Sequence, residues 1–181
     1  MSKSLIRLTA GACIALGLVY AAGTAHAARV ALNDAEVLGI YIQVNGFDVE
    51  SSLLARAQAS SKEVRALATH VSTDHIGVRQ AAHDLATKCR VTPVLPTARD
   101  AAAIEHSQAM TRLAALSGAA FDRAYLEHDV AFHRAAVEAV RQVLLPATSC
   151  EALKAHLNGV LPAFEHHLME TEALARELAT R

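Results

Sequence analysis

Between residues 121 and 144, apolar positions recur with the 3.6-residue period of an amphipathic helix. At about 100° per residue, Arg123, Glu127, Arg134, Glu138 and Arg141 gather on one side, the solvent face. Tyr125, Leu126, Val130, Phe132, Ala136, Val137, Val140 and Leu144 lie opposite. Inside that apolar arc fall Asp122, Asp129 and His133. Burying such groups is costly unless they are paired or bind something. This helix therefore has a structural or a chemical reason to turn them inward.

Three more long amphipathic stretches accompany it. The first is expected to start after Asn33 or Asp34, either a good N-cap, and to reach about Ser60. Its polar side reads as Asp34, Asn45, Asp48, Ser52 and Arg56. The opposite side carries Ile40, Phe47, Leu53, Leu54 and Ala57, with Glu36, Gln43 and Glu50 among them. The second stretch runs from about Ser61 to Lys88, behind the capping sequence Ser60-Ser61-Lys62-Glu63. His75 falls within its buried stripe and Asp74 at the edge, while His70 and His83 point outward. Pro93 and Pro96 follow and end it. A shorter alanine-rich helix, about Ala98 to Leu116, stops at Ser117-Gly118. The stretch containing His133 spans Ala119 to Leu145, and a last helix opens near Ser149 and continues to about Ala179. There His167 lies on the buried arc, His166 and Glu170 lie away from it, and Pro162 is expected to kink or restart the helix. No strand pattern and no internal repeat appears. Four long amphipathic helices in one chain predict an all-α four-helix bundle.

The first 27 residues stand outside this pattern. Lys3 and Arg7 precede an apolar run from Leu8 to Ala22, and Ala25-His26-Ala27 supplies small residues for a signal-peptidase site. A cleaved signal peptide over 1–27 and a single domain over 28–181 are expected, with no membrane span in the mature chain. Loss of Lys3 and Arg7 leaves 15 basic against 18 acidic side chains, a net charge of −3. That balance, with no basic stripe, excludes a nucleic-acid partner.

Export makes the cysteines informative. Cys13 leaves with the signal, and Cys89 and Cys150 remain, most simply as a disulfide in an oxidising compartment, otherwise as two buried thiols. An up-down-up-down bundle would hold them at opposite ends, roughly 35–40 Å apart, whereas a disulfide needs Cα atoms within about 7 Å. A segment 90–118 that crosses the bundle brings both cysteines to one end. That is a ferritin-like bundle, with a helical crossover between the second and third core helices.

Placed by height at about 1.5 Å per residue, Glu50, His75, His133 and His167 come to one mid-level, one from each long helix. Asp74 and Asp129 stand beside two of them. Three imidazoles and a carboxylate suit zinc, copper or iron, with the aspartates as further ligands or orienting partners. The competing expectation is a network of buried pairs that satisfy one another. The paired Glu-x-x-His repeats of a di-iron oxidase are missing, since Glu127-His128 and Glu165-His166 have the wrong spacing. Ser72, Ser117 and Ser149 lack a nucleophile context, so no catalytic residue is assigned and a non-catalytic protein is expected. His70, His83, His106, His156 and His166 read as surface side chains, and Tyr125 as a core residue.

Ala68-Thr-His-Val-Ser-Thr-Asp74-His75, Leu116-Ser-Gly118-x-x-Phe121-Asp122-x-x-Tyr125-Leu126, His133 and Leu161-Pro162-x-Phe164-x-x-His167-Leu168 together resemble the bacterial "domain of unknown function 4142" proteins. The resemblance covers about Asp34 to Leu174. It implies an exported, ferritin-like protein, periplasmic or associated with the outer membrane, and it singles out Glu50, His75, His133 and His167. Two positions depart from the family pattern, which often has an acidic residue where Phe132 stands and an apolar one at Asp129. A ligand role for Asp129 would therefore be peculiar to this chain. The activities left open are metal handling or storage, a metal-free envelope role through stress tolerance or an unidentified protein partner, and metal-dependent redox chemistry.

Overall fold

The computed structural model describes residues 32–180, which form an all-helical fold with no strand among them. Asn33 opens the first helix, α1 (Asp34–Gln58), with a reciprocal cap. Its side chain accepts from the backbone of Ala35 and Glu36, and the Glu36 carboxylate accepts from the Asn33 N–H. Helix α2 (Lys62–Cys89) is capped by the Ser61 hydroxyl and closes on Arg90 in the left-handed conformation. After the Pro93–Pro96 connection come a 3₁₀ turn, Thr97–Arg99, and α3 (Asp100–Ala114). Helix α4 (Gly118–Ala139) passes through a wider π-type stretch, Val140–Leu144, into a last turn, α5 (Leu145–Ala147). Pro146 cannot donate the next helical hydrogen bond, and the ladder loosens just before it. Helix α6 (Glu151–Ala179) runs unbroken through Pro162, which lies on an exposed face. Water can satisfy the carbonyl that loses its partner there.

Helix α1 packs along α2, α4 along α6, and α2 and α6 also meet, as do α1 and α4. The connection after α2 crosses α1 at Gly39. The Val94 N–H bonds to the Ala35 carbonyl, and a Cβ on Gly39 would sit 2.1 Å from the Val94 oxygen. Only glycine permits that approach. From there the chain follows α1 to its other end. Arg99 Nε bonds to Gln43, His106 packs on Phe47, and the Gln58 amide reaches the carbonyls of Ala114 and Leu116.

Two apolar clusters fill the interior. One gathers Val37, Leu38, Tyr41, Leu85, Leu144, Leu153 and Leu157; beside it, Cys89 and Cys150 stand at disulfide distance, with an S–S length of 2.03 Å and Cα atoms 5.8 Å apart. The other gathers Ala55, Val64, Leu67, Val71, Phe121, Tyr125 and Leu126. Between the two lies a layer of buried polar side chains. The signal segment 1–27 and Cys13 fall outside the described residues.

Candidate metal centre

Each long helix interrupts its apolar stripe once at mid-height, and the interruptions meet. Asp48 comes from α1, His75 from α2, Asp129 and His133 from α4, and His167 and Thr171 from α6, all buried. His75 Nε2 lies 3.0 Å from Asp48 Oδ2 and 3.3 Å from His167 Nδ1, and His133 Nε2 lies 3.3 Å from the same Asp48 oxygen. One nitrogen from each of the three imidazoles falls within 4.8 Å of the others.

The outer nitrogens decide what these inner atoms carry. Asn45 donates its amide to the Tyr41 carbonyl, 2.7 Å away, which turns its oxygen toward His75 Nδ1 at 2.8 Å. That nitrogen therefore bears the hydrogen, and Nε2 presents a lone pair. His133 Nδ1 faces the Asp129 carbonyl at 3.2 Å and the Asp129 carboxylate at 3.4 Å, both acceptors. The Thr171 hydroxyl fixes that carboxylate from 2.6 Å. His167 Nε2 lies 3.1 Å from the Asp74 carboxylate, leaving Nδ1 to face inward. Phe164 stacks on the His75 ring, with centroids 4.8 Å apart, and holds its plane.

Once His133 has lost its second proton, three imidazole lone pairs turn toward one another, and those of His75 and His133 also face the Asp48 carboxylate. Neither Asp48 oxygen, nor His133 Nε2, has a hydrogen-bond partner among the described residues, although all are buried. Such a set repels itself unless a proton on His133 or a metal ion lies among its members. Burial pushes the Asp48 carboxyl up to about 7 despite the neighbouring His133. Burial, followed by His133 and His167, pushes His75 down to about 2. At His133 burial acts downward, but Asp48 and Asp129 outweigh it and raise the imidazole to about 9. At Asp129 burial acts upward, and His133 with the Thr171 hydroxyl outweighs it, so the carboxyl is held low. A tetrahedral ion bonded at about 2.0–2.1 Å separates its ligand atoms by roughly 3.3 Å, close to the 3.0 and 3.3 Å found here.

The family described as a domain of unknown function, DUF4142, matches residues 20–174. The chain belongs to the DUF4142 family. The crystal structure of a DUF305 protein from Streptomyces coelicolor, described as secreted, superposes with a TM-score of 0.67 at 17% identity, covering 81% of this chain and 93% of that one. At that identity the likeness concerns the fold. No curated protein matches the sequence.

Of the residues expected in this DUF4142 chain to form the centre, His75, His133, His167 and Asp129 come together. Asp74 stands behind His167, with its side chain 41% exposed. Glu50 is not brought in: its side chain is 63% exposed and pairs with His106 Nε2 at 2.9 Å, outside the helical core. The carboxylate in the core is Asp48, two residues earlier and so about 200° around the helix. Asn45, Asp48 and Ser52, expected on the polar side of α1, are all buried. Helix α1 is covered by α2 and α4 on one side and by α3 on another, so its apolar residues surround most of its circumference and mark no single inner face. His106, expected at the surface, is buried and stacked 4.1 Å from Phe47. His156 likewise meets the Tyr41 hydroxyl at 3.1 Å.

Proposed function

We propose that this protein is an exported metal-handling protein that holds one divalent transition-metal ion between Asp48, His75, His133 and His167. The observation that carries the reading is the meeting of three buried imidazoles, two of which face the Asp48 carboxylate, whose oxygens have no hydrogen-bond partner among the described residues. Zinc fits the three separations of 3.0–3.3 Å between neighbouring ligand atoms, and copper and iron accept the same three nitrogens and one oxygen. Asn45, Asp129, Thr171 and Asp74 orient the rings from outside, the arrangement by which proteins fix histidine ligands.

Metal binding in the core of a ferritin-like bundle follows the general habit of building such sites from facing helices. The N-terminal Lys3, Arg7 and Ala25-His26-Ala27 pattern and the paired Cys89 and Cys150 support export to the periplasm. Among the described residues no helix is long and apolar enough to cross a membrane. All four ligand positions of a tetrahedral ion would be taken by protein, which favours holding an ion over turning over a substrate.

Elemental mass spectrometry on protein purified without an affinity tag tests the reading. Zinc, copper or iron should accompany the wild-type chain, disappear with His133→Ala, and persist with His83→Ala at the exposed face of α2. Protein that carries no metal and takes up none on titration would make the layer a structural network and turn attention to the surface.

A further inference from the structure

A polar connection from the buried centre to solvent runs through His167. The inner nitrogen of that ring faces His75, while its outer nitrogen faces Asp74. Asp74 Oδ2 is also 3.3 Å from His70 Nε2, and the His70 side chain is 46% exposed. His70 and Asp74 lie one turn apart on α2, and His167 and Glu170 stand three residues apart on α6, so each pair shares a face. The other nitrogen of His70 lies 3.4 Å from Glu170 Oε2, a buried oxygen without a hydrogen-bond partner among the described residues. A neutral imidazole has one N–H and cannot serve Asp74 and Glu170 together. Beyond Glu170, His166 Nε2 approaches its other oxygen at 3.3 Å.

We infer that His70, Asp74 and the outer nitrogen of His167, flanked by Glu170, form a second, solvent-accessible site for a divalent transition-metal ion, through which the core is filled. The inference rests on the reading of the core as a metal centre. One ligand atom from each of His70, Asp74 and His167 lies within 4.8 Å of the others. Two imidazoles and a carboxylate with an open side make a site that captures an ion and releases it. Turning the His167 ring by half a turn about its Cβ–Cγ bond brings Nε2 to the position that Cε1 held, on the edge of the ring that faces His75. That motion carries an ion from Asp74 toward His75 and Asp48. Because His167 serves both sites, it holds one ion at a time.

Stopped-flow binding of Co²⁺, followed by its visible absorption, and Zn²⁺ titration separate the two sites. The wild type should bind one ion tightly. His133→Ala should lose that ion and keep a weaker one, which disappears when His70→Ala is added. His70→Ala and Glu170→Gln alone should leave the tight affinity unchanged and slow filling at least about tenfold, since clustered charge and ligands raise capture rates by such factors. Unchanged filling overturns the route, and a His133→Ala protein with no His70-dependent ion overturns the second site. A tight ion that survives His133→Ala overturns the core reading, and its loss with His70→Ala would then leave the edge site standing alone. No binding to the wild type overturns both.

Discussion

Two buried aspartates, one at each of two levels of the molecule, show opposite solutions to the same problem. Asp122 sits at the start of α4 and accepts from the Ser60 N–H at 2.9 Å, the Ser60 hydroxyl at 2.5 Å and the Ser61 N–H at 2.8 Å. It ties the α1–α2 turn to α4 and leaves neither oxygen free. Asp48, seven residues before Ala55 and at mid-height, accepts nothing. Two imidazole nitrogens lie 3.0 and 3.3 Å from one of its oxygens, and the outer nitrogens of both rings face other acceptors. A closed set of hydrogen bonds serves folding, because every member is already satisfied. An open set of the same residue types serves an absent partner. Burial alone does not tell one from the other; the position of the hydrogens does.

Exchanging the two roles by mutation gives the largest effects. Asp48→Asn should lose tight metal binding by more than the roughly 10–100-fold expected for loss of an outer partner. The metal-free fold should be no less stable, because the substitution removes an unpaired buried charge. Calorimetric titration with Zn²⁺ and thermal unfolding of the metal-free protein read the two halves of that statement. Asp122→Ala should do the reverse: about 2–4 kcal/mol of stability lost in denaturant unfolding, from stranded donors at Ser60 and Ser61, with zinc affinity unchanged. Equal losses of affinity in both variants would erase the distinction between the two carboxylates.

Most of the helical frame was readable because its signals are local. Asn33, one of two expected caps, opens α1, Ser61 caps α2 from within the expected Ser60–Glu63 capping sequence, and α2, α4 and α6 carry their histidines on the stripes that periodicity assigns. Cys89 and Cys150 meet at disulfide distance, as pairing in an oxidising compartment implies. The reading failed on α1, where a helix packed on several sides loses the contrast between faces. There periodicity puts Glu50 inward and Asp48 outward, the reverse of what α3 imposes by lying over Phe47 and Glu50. Asn45 was missed for another reason: its importance is the tautomer it sets in His75, and no pattern along one chain encodes which nitrogen carries a hydrogen. Periodicity leaves His106 and the half-buried His156 at the surface because their partners, Phe47 with Glu50 and Tyr41, are distant in sequence.

A smaller effect isolates the tautomer argument. Asn45→Ala removes the acceptor that holds the hydrogen on His75 Nδ1, 2.8 Å away, without touching an inner atom. Zinc affinity should fall roughly 10–100-fold. Asn45→Asp keeps an acceptor there and should restore most of it. Equal loss in both variants would mean that Asn45 acts by packing alone, and that the lone pair at His75 Nε2 does not depend on it.

The smallest effect is the response to pH, and here the open layer should betray itself even without metal. Burial holds His75 down at about 2 and His128 at about 4, and burial followed by His133 lowers His167. An unfolded histidine titrates near 6.5, so below that pH the unfolded chain binds protons that the folded chain refuses. Stability is therefore lost as pH falls from about 6.5 toward 4. Asp48 opposes the trend, because folding raises its carboxyl to about 7 and the folded chain takes that proton first. Counting His75 and His128 alone against one carboxyl, the balance is about one proton, or about 1.4 kcal/mol per pH unit, and the lowered His167 adds in the same direction. On the alkaline side His133, raised to about 9, contributes stability that is fully present below about 6.5 and lost as pH climbs through 9. The metal-free protein should thus be most stable near pH 6.5. A bound ion takes the place of the protons on Asp48 and His133, so binding tightens as pH rises toward 9 and the alkaline loss shrinks. Thermal unfolding between pH 5 and 8.5, with and without Zn²⁺, should show the maximum moving upward when zinc is present. A maximum that zinc leaves where it was would mean that the proton and the metal do not compete for these four side chains.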